Sequence, residues 1–551
     1  MEKKIRVTTL FLAILLAIVT LYHPNTVKAA DVIDGFHGGS GTKDDPYQIA
    51  TVEEFEIIRG NLSVDDGYDH TDFYNTYFVL TKDIAYDSSK QISAPQLGLT
   101  KCKIDGKGHT VSGITSNGKS LFNRVRETEI TNIKFKNCNL KNTPLLAKDI
   151  FDGKLSNITF SNSKVSFNNQ NKKDFRDESN FGSKLHYGGL VNWVYGTKTE
   201  KVNVNINMTI KGTGVYGMLY GNFRGNATGI KTAGTLNAAI LYVKKKQAVS
   251  CIGGMFGNIE GTVRDSVNNA KITVSLPNKK VGCNIAGISG LGSYPLDGKK
   301  TGCRYYKCKN QGAIKVTTKW KNKERLLVNV AGITAGFTDG DIQSCSNSGN
   351  ITAPFSEGIA GITNTANGTI TKCSNSGKIT GVDTKQVSGI VNWAYKNVKS
   401  CTNSGAIKNS ASMIHYDSDS NAAGIVNYVD SAYRNVTIRD CKNKAKVTAA
   451  NKRYHASSAA GIVNHIGQTK KYHSTVYKCS NSGTISGDGI SSGIVDRSGN
   501  WEVKKGKNVI KSCTNTGKIY TRGNDKKPGI CGYAVNTTIK GCKNRGKIIK
   551  K

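Results

Sequence analysis

The chain has 551 residues, with 77 Lys and Arg against 39 Asp and Glu, 60 Gly, only 8 Pro and 37% hydrophobic residues. That is too apolar for a disordered chain and too long for a disulfide-held miniprotein. The formal charge of +38 attracts polyanions at long range without naming one.

The chain opens with Lys3, Lys4 and Arg6, then an apolar run from Thr8 to Tyr22. Val27 and Ala29 offer small residues at −3 and −1, so residues 1–29 read as a secretory signal peptide cleaved after Ala29. The alternative is an uncleaved anchor, but a run of about 14 residues is short of the roughly 20 that a span needs. No later apolar run matches it, and the end of the chain (Lys547 to Lys551) shows neither a hydrophobic tail nor a Leu-Pro-x-Thr-Gly sorting signal. The expected product is secreted or extracellular, or held on the cell wall non-covalently.

Residues 30–100 form an acidic N-terminal segment. Residues 31–100 hold 13 Asp and Glu against 4 Lys and Arg, so the rest of the chain beyond the signal carries a net +44. The bland reading of that basic body is solubility. The sharper one is adhesion to anionic polymers such as teichoic acids, acidic glycans or nucleic acid. Thr51-Val-Glu-Glu54 is a capping box, with Val52, Phe55, Ile58 and Leu62 on one helical face. A short amphipathic helix there suits the open end of a strand stack, which otherwise exposes core and unpaired edges. Tyr77 to Ile84 reads as a strand, and Ile104 to Val111 as a turn and strand.

From residue 101 to 551 two short patterns alternate. One is Cys-x-Asn-x-Gly-x-Ile, as at Cys345, Cys373, Cys401, Cys479, Cys513 and Cys542, with Cys308 fitting and Cys441 a worn copy. The other is Gly-Ile-Val-Asn with an aromatic, at Gly389, Gly424 and Gly461, with weaker copies at Gly189, Gly254, Gly287, Gly332, Gly361, Gly493 and Gly529. Successive cysteines from Cys308 lie 28 to 40 residues apart, which means a fixed unit plus loops of varying length. Short alternating segments broken by Asn-Ser-Gly turns, with no sustained 3.6-residue period, describe strands stacked coil on coil. The expected fold is all-β: a single-stranded, right-handed parallel β-helix solenoid with a short N-terminal capping helix.

Alternation assigns faces to the second pattern. Ile390, Asn392 and Ala394 share one side, and Val391, Trp393 and Tyr395 the other. The inner columns read Ile390, Ile425, Ile462, Ile494, Ile530 and Asn392, Asn427, Asn464, Asp496, Gly532. Stacked amides can satisfy one another from coil to coil. The outer column reads Trp393, Tyr428, His465, Arg497 and Tyr533. It is a structural ladder, a ligand-binding face or, least of all, a catalytic strip. The glycine after Cys-x-Asn is expected to take positive φ in a sharp turn.

The lead-in GGSGTKDDPYQIATVEEF (38–55), then YFVLTKDI (77–84), IDGKGHTVSGI (104–114) and SLFNRV (120–125), resembles the start of secreted bacterial right-handed β-helix proteins. The later units resemble the GLUG-type repeats of Gram-positive surface proteins. The resemblance covers most of residues 35–551. It implies an adhesin-like surface protein, and such repeats also occur beside peptidase domains of the immunoglobulin A protease type. None of the nine His is followed by Glu, so the His-Glu-x-x-His motif of that peptidase is missing. Asn392, Asn427 and Asn464 depart from the usual Gly-Gly-Ile-Val-Gly.

Fourteen cysteines in an exported chain raise the question of disulfides. Eight occupy one repeat position. Stacked at about 4.8 Å they form an inward thiol ladder, pair, or bind a metal. Cys303 and Cys308 resemble half a zinc knuckle without its second half, and Cys531 falls on the expected outer face. No metal site or cofactor is expected. The acidic group Asp65, Asp66, Asp69 and Asp72 is a solvated loop or, less often, a calcium site.

The functional expectation is a non-enzymatic binding or adhesion module for anionic glycans, cell-wall polymers or host matrix, with nucleic acid disfavoured by export. The alternative is a secreted polysaccharide lyase or glycoside hydrolase. A lyase needs a cation and a base, which so basic a chain meets trivially. A hydrolase needs two carboxylates across one bond, and Asp496 and Asp430 show no obvious partner in the sequence.

Overall fold

Strands of two to ten residues with largely period-two burial, separated by turns, cannot cover their own apolar sides. They do so by stacking on the next copy. In the computed structural model the described residues are 35–60, 73–92, 98–169, 185–242, 249–292, 302–320, 325–411, 420–451, 457–499, 507–522 and 528–551. The expected signal peptide (1–29), Leu62 and the acidic group Asp65, Asp66, Asp69 and Asp72 lie outside them.

One coil shows the plan. Gln386–Ser388 belongs to the smallest sheet, here sheet III. Val391–Ala394 and Val398–Lys399 belong to sheet I, and Thr402–Asn403 and Ile407–Ala411 to sheet II. Each strand pairs in parallel with its counterpart one coil on: Gln386 with Asn421, Val391 with Val426, Val398 with Ile438, Thr402 with Lys442, Ile407 with Val447. The chain is therefore an all-β parallel β-helix, as the repeats predict. Tyr47, Phe78, Ile104 and Ile130 share the column that continues into the repeats, so the acidic segment and the basic body stand on one ladder. At about 4.8 Å per coil the rod is on the order of 70 Å long.

The α-helix Val52–Arg59 caps the N-terminal end. Thr51 Oγ1 accepts from Glu54 N at 3.2 Å, and Glu54 Oε2 accepts from Thr51 N at 3.0 Å, which completes the capping box. Phe55 and Ile58 are buried over the end of the stack. Tyr86 donates to Glu56 at 2.6 Å and so ties the helix to the sheets.

An interior amide ladder and the glycines packed on it explain the repeat. In Cys-x-Asn, Asn347 Nδ2 donates to Asn375 Oδ1 at 2.7 Å, Asn375 to Asn403 at 2.8 Å and Asn403 to Asn443 at 2.8 Å; the series continues to Asn544. These amides are buried, save at the last coil. The glycine that opens Gly-Ile-Val packs against them. A Cβ on Gly389 would stand 2.1 Å from Gly424 O and 2.6 Å from Asn403 Cγ. The two motifs thus meet across the coil, and each constrains the other. The fully buried columns Ile390, Ile425, Ile462, Ile494 and Val391, Val426, Val463, Val495 supply the apolar drive, about 1.5–3 kcal/mol per side chain.

Four sequence expectations need correction. Val391 faces the core, because the chain bends from sheet III to sheet I between Ser388 and Val391 and the alternation restarts there. Cys531 stands in that same column, opposite Val495, and is buried rather than outward. The glycines after Cys-x-Asn do not take positive φ. The turn is made by the residue before each cysteine, such as Lys372 (φ 53°), Ser400 (φ 54°) and Asp440 (φ 55°). Gly377 is needed because a Cβ would lie 2.2 Å from Gly349 O.

The fourth concerns Asn392. Its amide column does form: Asn392 donates to Asn364, Asn427 to Asn392 at 2.7 Å and Asn464 to Asn427 at 2.9 Å. It lies in the concave corner between sheets III and I, over Gly358, on the strand side opposite the core residue Ile359. The same corner holds the small residues Ala286, Ala331 and Ala335, which pack together apart from the main core.

The eight repeat cysteines stack inward as thiols. Cys373 Sγ donates to Thr371 O at 3.4 Å and Cys401 Sγ to Lys399 O at 3.3 Å.

Candidate functional site

Trp393, Tyr428, His465, Arg497 and Tyr533 fall on one column of sheet I, each paired in register with the next. The register follows from the valine beneath each of the first four, Val391, Val426, Val463 and Val495, whose burial fixes which residue faces out. The five side chains are all half-buried. The Trp393 and Tyr428 rings lie 4.4 Å apart at 37°, and Tyr428 and His465 4.9 Å apart at 41°. Contacts of this kind stabilise adjacent strands by about 0.2–1 kcal/mol per pair. The rings are packed on one another along the column, so it is their outer parts that face solvent.

The lower part of this column lines a cleft of about 650 Å³, walled by Tyr428, Asp430, His465, Gln468, Arg497 and Tyr533. Asp430 is also part of the wall of a smaller cleft of about 260 Å³, with Tyr395, Tyr433 and Arg434. Asp430 is held in place by the Ala432 N–H, which donates to its Oδ1 at 2.8 Å. Burial, and then the Asp430 carboxylate, holds the Tyr428 phenol above its ordinary range. Tyr395 is raised for the same two reasons. Arg497 Nε lies 3.6 Å from Asp496 Oδ2, so the aspartate anchors the guanidinium from the corner.

The arrangement offers half-buried aromatic side chains for apolar contact, a guanidinium with a planar fork of donors for carboxylate or sulfate, and a carboxylate to accept from hydroxyls. Among the described residues, no group of three or more His, Cys, Asp or Glu is placed to hold a metal ion. No helix among them is long and apolar enough to cross a membrane.

Sequence reasoning passed over a second column in sheet I. Farther back along the rod, Arg124, Asp149, Trp193, Asn222 and Asn258 stand in one register column. Trp193 stacks edge-on against His186 at 4.8 Å. The signal was present, because Gly189-Leu-Val-Asn-Trp193 repeats Gly389-Ile-Val-Asn-Trp393 with one aliphatic exchange.

No family model and no curated protein matches the chain. Among solved structures it is similar to one described as a "putative immunoglobulin A1 protease from Bacteroides ovatus". The two are 12% identical, with 62% of this chain and 80% of that one covered at a TM-score of 0.26. The architecture here rests on the strand register above and not on that likeness.

Proposed function

We propose that the chain is the rod of a secreted or cell-surface, adhesin-like protein with GLUG-type repeats. It binds an anionic glycan, cell-wall polymer or host matrix without chemical turnover. The ligand lies against Trp393, Tyr428, His465, Arg497 and Tyr533. The observation that carries this reading is the in-register column of half-buried rings and a guanidinium, opening onto a cleft of about 650 Å³. The net charge of +38 supports it, since it steers polyanions to the rod.

The test is retention on heparin, pectin and purified cell wall, followed by a glycan array at two salt concentrations with Trp393→Ala and Tyr428→Ala. Salt-sensitive binding that drops tenfold or more in either variant is expected. Retention that is absent, or indifferent to salt and to both substitutions, overturns the reading.

One observation favours a lyase as the second reading. His465 and Arg497 sit on adjacent coils between Tyr428 and Tyr533, so a base and a carboxylate-neutralising cation share one cleft. Rising ultraviolet absorbance from unsaturated ends on uronate polymers, lost in His465→Ala, establishes that reading, and a flat trace removes it.

A further inference from the structure

Several coils N-terminal to the strip, sheet I carries a second cluster of the same chemistry. Phe151 and Tyr195 are register partners with ring centroids 6.4 Å apart. The Arg224 guanidinium lies over Tyr195 at 4.7 Å, and Arg124 and Arg126 approach the Phe151 ring to 5.9 and 5.7 Å. Arg126, Phe151, Tyr195 and Arg224 occupy one column, side by side with the column of Arg124 and Trp193. Tyr195 is 38% exposed, and Arg124 and Arg126 are exposed as well.

The choice of arginine is informative. Only 15 of the 77 basic residues are arginine, yet three gather on these two rings. Solubility is served equally by lysine. A planar guanidinium that stacks on a ring while presenting a fork of donors is what distinguishes arginine at a carboxylate or sulfate site. Two carboxylates face the cluster. Glu260 is buried and pairs with Arg224 Nε at 3.3 Å, and Asp149 stands between Arg124 and Trp193 in the column. Glu260 braces Arg224, and three guanidiniums against two carboxylates leave the cluster a net positive charge.

The two patches share a sheet. From the coil of Trp193 to that of Trp393, sheet I passes through the paired strands that hold Asn222, Asn258, Leu291, Phe337 and Thr365. At about 4.8 Å per coil that is a separation of about 30 Å along the rod.

We propose that Arg124, Arg126 and Arg224, with Phe151 and Tyr195, form a second binding patch for a linear acidic polysaccharide, and that one extended chain lies along the rod axis and engages both patches. The inference rests on the reading given under Proposed function for the first patch. It adds that the ligand is a long polymer and not a single sugar or a compact glycan. Two tethered contacts multiply affinity by an effective-concentration factor of order 10²–10⁴ only when the polymer spans them.

The experiment uses the full chain with size-fractionated heparin and polygalacturonate fragments, shorter and longer than about 30 Å, read by calorimetry. The variants are Arg124→Ala/Arg126→Ala/Tyr195→Ala and Trp393→Ala/Tyr428→Ala. Arg124→Lys/Arg126→Lys serves as the charge-preserving control, and unchanged circular dichroism is required of each. Two short fragments per chain are expected for the native protein and one for either Ala variant, with long fragments losing at least tenfold in both. The lysine variant, which keeps charge but not the fork, is expected to fall between.

Unchanged stoichiometry and affinity in the arginine variant, with loss in the Trp393 variant, overturns the second patch and leaves the first. Loss in the arginine variant alone keeps the second patch and overturns the first. A native protein that binds long and short fragments equally overturns the spanning chain. Equal or tighter binding of single-stranded polydeoxythymidine overturns the assignment to polysaccharide.

Discussion

Asn403 is the place to test whether the amide ladder holds the rod together. Its side chain is fully buried, accepts from Asn375 at 2.8 Å and donates to Asn443 at 2.8 Å. Asn403→Ala removes both bonds and leaves one N–H of Asn375 and the Oδ1 of Asn443 facing a buried gap. An orphaned buried polar atom costs about 1–3 kcal/mol, so the substitution should cost about 2–6 kcal/mol. Asn375→Ala should cost a similar amount, since Asn375 also bridges two neighbours. The pair shares one bond, so the double variant should fall short of the sum by more than the 0.3–0.5 kcal/mol scatter of independent sites. Urea unfolding gives the totals. Hydrogen exchange at Ile379, Ile407 and Val447 gives the local effect expected of a stack in which each coil touches only its neighbours. Single costs below about 0.5 kcal/mol, or strict additivity, would refute the claim that the amides act as a coupled ladder.

Gly389→Ala should destabilise by more than Gly118→Ala. The first places a methyl 2.1 Å from Gly424 O, whereas Gly118 has φ 82° and open space around it, so it meets only the backbone penalty of about 1–2 kcal/mol; equal urea midpoints would contradict the steric account. Burial pushes the Cys138 thiol from 9.0 up to about 11, so between these pH values the unfolded chain releases a proton that the folded chain keeps. Stability should therefore fall as pH rises from about 9 to about 11, by up to about 3 kcal/mol, and Cys138→Ala should flatten that part of the curve; superimposable curves for the two proteins remove the claim. Cys542 is half-buried while the other thirteen cysteines are buried, so it should react first with an aromatic disulfide reagent in the native state, and a Cys542→Ser chain that keeps the fast phase would contradict the burial pattern.

The coil, the thiol column, the capping box and the strip from Trp393 to Tyr533 were legible because each repeats with a stable neighbour in sequence. What was hidden lies at bends and across coils. Period-two reading put Val391 outside because the sequence does not announce the corner after Ser388. The glycines of Cys-x-Asn-x-Gly were assigned a torsional role, since turn chemistry is local and the closeness of Gly349 O to Gly377 is not. The inward amide ladder was credited to Asn392, whose column is real but sits in the concave corner, while Asn375 and Asn403 hold the interior. Phe151 and Arg126 carry no repeat signature at all. Only strand register brings them beside Tyr195 and Arg224.

The stacked coils also bear on how the rod meets a pull. Backbone hydrogen bonds in all three sheets run along the axis, so tension applied at the C-terminal end loads the outermost coil alone and peels it away before the next is touched. Each step frees between 28 and 40 residues of slack in the repeat region, set by the uneven cysteine intervals. A stack built this way yields in instalments of unequal length.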